Sequence, residues 1–168
     1  QKDKDLAEPA VLSEGENAVR VMTIHGSKGL EFPVVFVLDL NRKLSNQDLK
    51  KHYIFDQKYG AGIDYKDLDL RVRYSTFPEL LLKQRKKALL RSEELRVLYV
   101  ALTRAEQKLF LVGSYKTEEE AWTKWQRVAR HEELVLPAQL RINAESMMDW
   151  IGMALIRHPN SSFTEFET

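Results

Sequence analysis

The chain contains no cysteine, which removes disulfides, cysteine zinc sites, iron–sulfur ligation and thiol catalysis together. That absence fits a reducing compartment. No apolar run approaches the ~18 residues that a bilayer span requires. The first residues, Gln1 to Glu8, are charged where a secretory leader would be basic and then apolar. The expectation is a chain that is neither secreted nor membrane-spanning. Seven glycines and five prolines are too few for a fibrous or low-complexity chain. Neither sign of charge dominates: 26 Lys and Arg stand against 25 Asp and Glu, for a formal charge of +1. Any electrostatic footprint for a polyanion must therefore be local.

What is present is 168 residues with 43% apolar and 30% charged side chains, enough for one folded domain with its own core. The first residue is Gln, so the sequence reads as an excerpt of a longer chain. Residues 1–17 are polar, hold Pro9 and Gly15, and read as a linker. Val19 to Ile24 is β-branched and roughly alternating, which predicts a strand. His25 to Phe32 predicts a glycine-containing turn, and Val34 to Leu40 a strand covered on both faces of a parallel sheet.

Asn41 to Phe77 predicts a small surface insertion, with Gly60-Ala61-Gly62-Ile63 as a turn. From Pro78 a long helix is predicted to run to Arg104 or Ala105, packing through Leu81, Ala88, Leu95, Leu98 and Leu102. Leu109 to Val112 predicts another buried strand. Two further helices are predicted over Glu118 to Arg130 and Glu145 to Arg157, the second capped by Asn143 and stopped by Pro159. Strand, loop, strand, long helix, strand is the order of an α/β fold.

Two polar clusters could carry chemistry. Thr23-Ile24-His25-Gly26-Ser27-Lys28-Gly29-Leu30-Glu31-Phe32 lies between two predicted strands, where ligands bind in open α/β sheets. Its glycines allow close backbone approach to an anion and Lys28 adds a point charge, so the loop could contact phosphate. It lacks the ending and the longer arch of a Walker A loop. The plainer alternative is a tight connection with solvated polar tips. In the second cluster, Glu93 to Ala105, Arg104 sits between an apolar helix and a strand. A forked, permanent cation there could stabilise a transferring γ-phosphoryl group; the alternative is an arginine capping a helix C-terminus.

Together, Thr23-Ile24-His25-Gly26-Ser27-Lys28-Gly29-Leu30-Glu31-Phe32-Pro33 and Glu93-Glu94-Leu95-Arg96-Val97-Leu98-Tyr99-Val100-Ala101-Leu102-Thr103-Arg104-Ala105 resemble motifs V and VI of superfamily one helicases of the UvrD/RecB type. Phe55 to Ile63 and Asp149 to His158 are similar to one branch, the AddA/RexA-type helicase/nuclease subunits of Gram-positive bacteria. The resemblance covers nearly everything from Ala18 to His158. It implies an α/β fold: part of a second RecA-like (P-loop NTPase type) lobe with a largely parallel sheet. The lobe would span 18–115 with an insertion at 41–77, and 116–168 would form a helical tail leading towards a nuclease domain.

The same resemblance implies an ATP-dependent 3′–5′ DNA helicase with exonuclease in the full-length protein, acting in double-strand-break repair and recombination in the bacterial cytoplasm. Partners implied are single-stranded and duplex-end DNA, the remaining domains of the same chain and a second helicase/nuclease subunit, with no membrane. ATP and Mg2+ would be held mainly by the other lobe. Glu31 would hydrogen-bond the nucleotide ribose, Gly29 would permit close approach beside it, and Arg104 would touch the γ-phosphate as the catalytic residue. Thr23, His25 and Lys28 would contact DNA; His25 could instead bond backbone near the strand end.

Two departures qualify the resemblance. There is no Gly-Lys-Ser/Thr loop and no adjacent Asp-Glu pair, so this stretch alone is expected to be inactive. Asp48-Leu49-Lys50 and Asp64-Tyr65-Lys66 have an Asp-x-Lys nuclease spacing without the further acids a metal needs, and no metal site is assigned. The competing reading is a noncatalytic DNA- or subunit-binding module derived from a helicase lobe. Lys83, Arg85, Lys86, Lys87 and Arg91 could track phosphates but read more simply as a solvated face. Trp122, Trp125 and Trp150, and likewise Tyr53, Phe55 and Tyr59, read as packing residues more than as base-stacking ones.

Overall fold

A computed structural model describes residues 18–158. The expected linker at 1–17 and the stop at Pro159 lie outside the described residues. The fold is mixed α/β. Strand β1 (Phe32–Val37) pairs in parallel with β6 (Ala105–Leu111), with Phe32 opposite Ala105 and Val37 opposite Leu111. Between them the chain makes two antiparallel hairpins, β2 (Tyr53–Asp56) with β3 (Gly60–Ile63) and β4 (Tyr65–Asp67) with β5 (Val72–Tyr74). It returns through helix α1 (Phe77–Leu102). Parallel pairing requires such a crossover, and a 26-residue helix supplies it.

Helix α1 starts where Thr76 accepts from Glu79 N and Pro78 occupies the first turn, and it stops at Thr103, short of the expected Arg104. Its buried face runs through Glu79, Leu82, Arg91, Leu98 and Ala101. Leu81 and Leu102, expected inside, are exposed. The buried face includes a cation, Arg91, one heptad before Leu98. Its guanidinium donates to the Ala144 carbonyl (3.2 Å) and to Asn46 Oδ1 (2.8 Å).

The strand expected over Val19–Ile24 does not form; Val21 is 95% exposed, and β-branching without a ladder partner makes no strand. Strand β1 is covered on one face only. Val35 and Val37 pack inward, while Phe36 is 60% exposed and stacks on Phe110 of β6, ring centroids 4.4 Å apart. Gly60 to Ile63 is a strand rather than a turn. The turn is Gln57 to Tyr59, where Asp56 accepts from the amides of Lys58 and Tyr59.

The C-terminal part is built into the core. Helices α2 (Glu118–Trp125) and α4 (Met147–Leu155) bring Ala121, Trp125, Trp150 and Met153 against Leu98 and Ala101 of α1 and Val37 of β1, with Leu140 of α3 (Ala138–Asn143) packed beside them. The cap of α4 is Ser146, not Asn143, which ends α3. Ser146 accepts from Asp149 N and Asp149 accepts from Ser146 N, a reciprocal capping box. Asp149 also accepts from Glu145 N and from the Tyr115 hydroxyl (3.0 Å). Burial pushes the Tyr115 hydroxyl well above the ordinary tyrosine range, so it stays a donor.

Candidate functional site: the Thr23–Phe32 loop and Arg104

The parallel register places the start of β1 beside the start of β6, so the two polar clusters meet at one end of the sheet. Phe32 N donates to the Arg104 carbonyl at 3.0 Å. The Arg104 side chain crosses the other way, Nη1 donating to the Leu30 carbonyl at 2.9 Å. Its Nε donates to the Val100 carbonyl (2.9 Å) and Nη2 to Thr103 Oγ1 (2.9 Å). Arg104 therefore caps the end of α1 and clasps the loop in front of Glu31. Three of its five N–H groups are used and two are left. Leu30 and Thr103 lie within the two motifs but carry no role that sequence predicts. No side-chain pattern signals a backbone acceptor such as the Leu30 carbonyl.

The loop holds itself. A single 3-10 turn covers His25–Ser27. Thr23 Oγ1 accepts from Gly26 N (3.1 Å), Ser27 Oγ donates to the Ile24 carbonyl (2.8 Å), and Leu30 N donates to the Ser27 carbonyl (3.1 Å). Ser27 is the buried anchor; Thr23, His25, Lys28 and Glu31 are exposed. Gly29 adopts φ +84° and faces open space, a conformation glycine takes without strain. Neither Lys28 nor Glu31 makes an ion pair among the described residues, and the His25 ring makes no hydrogen bond there. The loop exposes a cation (Lys28), an imidazole (His25) and a carboxylate (Glu31), and the half-spent Arg104 guanidinium is bonded to the loop at Leu30. That set suits a nucleotide or a phosphate chain.

Other candidates resolve differently. Asp48 pairs with Lys51 (3.1 Å), and Asp64 with Arg73 (3.2 Å) and His52 (3.0 Å). Among the described residues no three His, Asp or Glu side chains gather as a metal site. The basic stretch of α1 is largely engaged internally: Lys83 with Glu79 (2.6 Å), Arg85 with Asp56 (2.9 Å), Lys87 with Asn143 (2.8 Å), and Arg91 buried. Trp125 and Trp150 are core residues, as expected, whereas Trp122, read the same way, is exposed. Tyr53, Phe55 and Tyr59 are exposed, so the core of this chain does not account for them.

A family model described as the UvrD-like helicase C-terminal domain matches residues 5–116. The A-type subunit of the ATP-dependent helicase/nuclease of Enterococcus faecalis is 59% identical over 159 residues, covering 94% of this chain and 12% of the relative. The proteins so described from Bacillus pumilus and Listeria monocytogenes are 48% and 46% identical, over 100% and 93% of this chain and 14% and 13% of their own lengths. The chain thus spans about an eighth of the curated relatives it matches.

Proposed function

We propose, from the premise that this chain belongs to the UvrD-like helicase C-terminal domain family, that it is the motor-coupling part of a longer ATP-dependent DNA helicase/nuclease subunit. The parent acts on broken duplex ends in repair and recombination, moving 3′–5′ along one strand. It works in the bacterial cytoplasm with a second helicase/nuclease subunit. Residues 18–115 form part of its second RecA-like lobe, interrupted by 41–77, and 116–168 lead towards a nuclease domain.

ATP is the substrate, held mainly by the other lobe with Mg2+, which neutralises charge on the phosphates when bound. Arg104 lends its two remaining N–H groups to the γ-phosphate, Glu31 bonds the ribose, and Gly29 leaves room for the approach. Thr23, His25 and Lys28 grip the strand on the far side of the same loop. Closure of the lobes on ATP brings Arg104 and Glu31 to the nucleotide, and hydrolysis releases them, so the grip on DNA shifts with each cycle. The observation carrying this reading is the Arg104–Leu30 bond, which ties the expected nucleotide contact to the expected DNA loop. The bare Phe36–Phe110 face is where the rest of the lobe joins.

The chain alone is inactive because the phosphate cradle and magnesium-holding acid lie elsewhere in the parent. The test is to mix it with a polypeptide carrying the missing lobe and measure ATP hydrolysis with single-stranded DNA. Restored, DNA-stimulated turnover is expected. No turnover with both parts folded would favour the noncatalytic module instead.

A further inference from the structure

We propose that the two hairpins between β1 and α1 form a second contact surface for single-stranded nucleic acid, remote from the nucleotide site, on which bases stack. Tyr53 and Phe55 lie two apart on the outer face of β2, their rings 5.6 Å apart and tilted by 51°, so neither covers the other. Phe55 is 70% exposed. On the second hairpin Tyr65 pairs with Tyr74 across the strands, both about half exposed or more, and Lys66 pairs with Arg73. Residues 63–75 include none that is buried. A lone two-stranded ribbon is at best marginal in water, so a free aromatic face here implies an occupant.

Charge selects that occupant. Residues 41–77 carry eight Lys and Arg against five Asp and no Glu, in a chain whose total is +1. Four of the five acids are already committed. Asp48 holds Lys51, Asp56 holds Arg85, and Asp64 clasps the two hairpins through His52 and Arg73. Asp67 accepts from the amides of Asp69 and Leu70. Lys50, Lys58, Lys66 and Arg71 make no ion pair among the described residues. Aromatic rings on strands, with unpaired cations on the same stretch of chain and Lys66 on the opposite face of β4 from Tyr65, suit a single-stranded polyanion that stacks bases on one face and runs its phosphates past the other. A protein partner would be expected to meet fewer free lysines.

The inference rests on the proposed helicase function only for the identity of the polymer. The β2–β3 hairpin packs on the first turns of α1, where Gly62 meets Glu79, the β4–β5 hairpin is tied to it through Asp64, and Arg104 follows the last turn of α1. At ~1.5 Å per residue the two places are roughly 35 Å apart. Changes to the hairpins should therefore leave DNA-independent ATP hydrolysis intact.

The experiment uses the full-length parent and a fluorescein-labelled oligothymidylate, with affinity read by anisotropy at two salt concentrations. Tyr65→Ser with Tyr74→Ser, and Tyr53→Ser with Phe55→Ser, should each weaken binding, by roughly 5- to 150-fold per ring that stacks a base. Lys66→Glu with Arg71→Glu, at exposed positions that leave the fold intact, should weaken binding and flatten the salt dependence by about 0.7 for each phosphate no longer neutralised. Unchanged affinity in the charge pair and in either folded aromatic pair overturns the proposal. So does loss of the second subunit with DNA affinity unchanged, which would make the hairpins a protein-docking face. Loss of DNA binding in Lys28→Ala but not in the hairpin variants overturns this proposal while leaving the motor reading standing. No hydrolysis and no DNA binding by the unaltered parent would remove both.

Discussion

The Arg104 guanidinium lies 2.9 Å from the carbonyl oxygen of Leu30, joining residues 74 apart in sequence just in front of Glu31. The same side chain caps α1 through Val100 and Thr103. A structural staple and a phosphate contact make different demands, and substitution separates them.

Arg104→Ala in the full-length parent removes three donors. Partly exposed bonds of this kind are worth about 1–3 kcal/mol in all, which a thermal melt of the 168-residue chain carrying the same substitution reads as a drop of about 2–4 °C per kcal/mol. Hydrolysis should fall by about 10³ to 10⁵ with DNA binding largely kept. Arg104→Lys keeps the charge without the fork and should recover little turnover. A melting shift of the expected size with near-normal hydrolysis would reduce Arg104 to a staple.

Gly62→Ala tests the seat of the hairpins. A Cβ there would lie 2.5 Å from Glu79 Cα and 2.7 Å from its backbone nitrogen, and neither atom belongs to a flexible side chain that could turn away. The β2–β3 hairpin must lift from α1, at about 1–3 kcal/mol by analogy with overpacked cores. A melting temperature equal to the parent's would show that the hairpin does not rest on the helix.

Much of this fold is legible from residue order, and the failures share a cause. Helix α1 is readable because Pro78 and the long helix-favouring run after it give start and extent. Its inward face is not, since Arg91 is buried by partners 45 and 53 residues away. Period and composition see neighbours along the chain and cannot see those. The apolar run Val34 to Leu40 predicts two covered faces, yet only one is covered, because burial depends on what packs against a strand. For the site, the paired motifs place Glu31 and Arg104 at one end of the sheet. That Arg104 spends three donors on its own chain required coordinates.

Asp149→Ala should be among the more damaging single changes in the C-terminal part. The carboxylate is buried and accepts from Glu145 N, Ser146 N and the Tyr115 hydroxyl, so removal strands three donors at the start of α4. A lost cap alone costs about 0.5–2 kcal/mol, and each stranded buried donor about 1–3. Ser146→Ala leaves the Asp149 carboxylate in place, removing the reciprocal bond to Asp149 N and the Ser146 contact with the Tyr115 hydroxyl, and should cost about 1 kcal/mol. Chemical denaturation of both variants gives the comparison; equal losses would mean that the Tyr115 and Glu145 bonds add nothing.

Acid should loosen the junction of hairpin and helix through Glu79. The residue is 1% exposed, and the Lys83 ammonium at 2.6 Å is the main reason its carboxyl is held below the usual glutamate range; burial opposes that shift without overcoming it. A folded-state pKa below the unfolded one means that the unfolded chain binds the proton first. The pair's contribution is therefore complete above the unfolded value and drains away as pH falls through the folded one. Glu79→Gln has no carboxylate to titrate, so it should be less stable than the parent at neutral pH. The gap should close as pH falls below about 4.5 towards the folded-state value. Urea midpoints measured from neutral to acid pH decide the matter: a gap that stays constant would mean that Glu79 is buried without being tuned by Lys83.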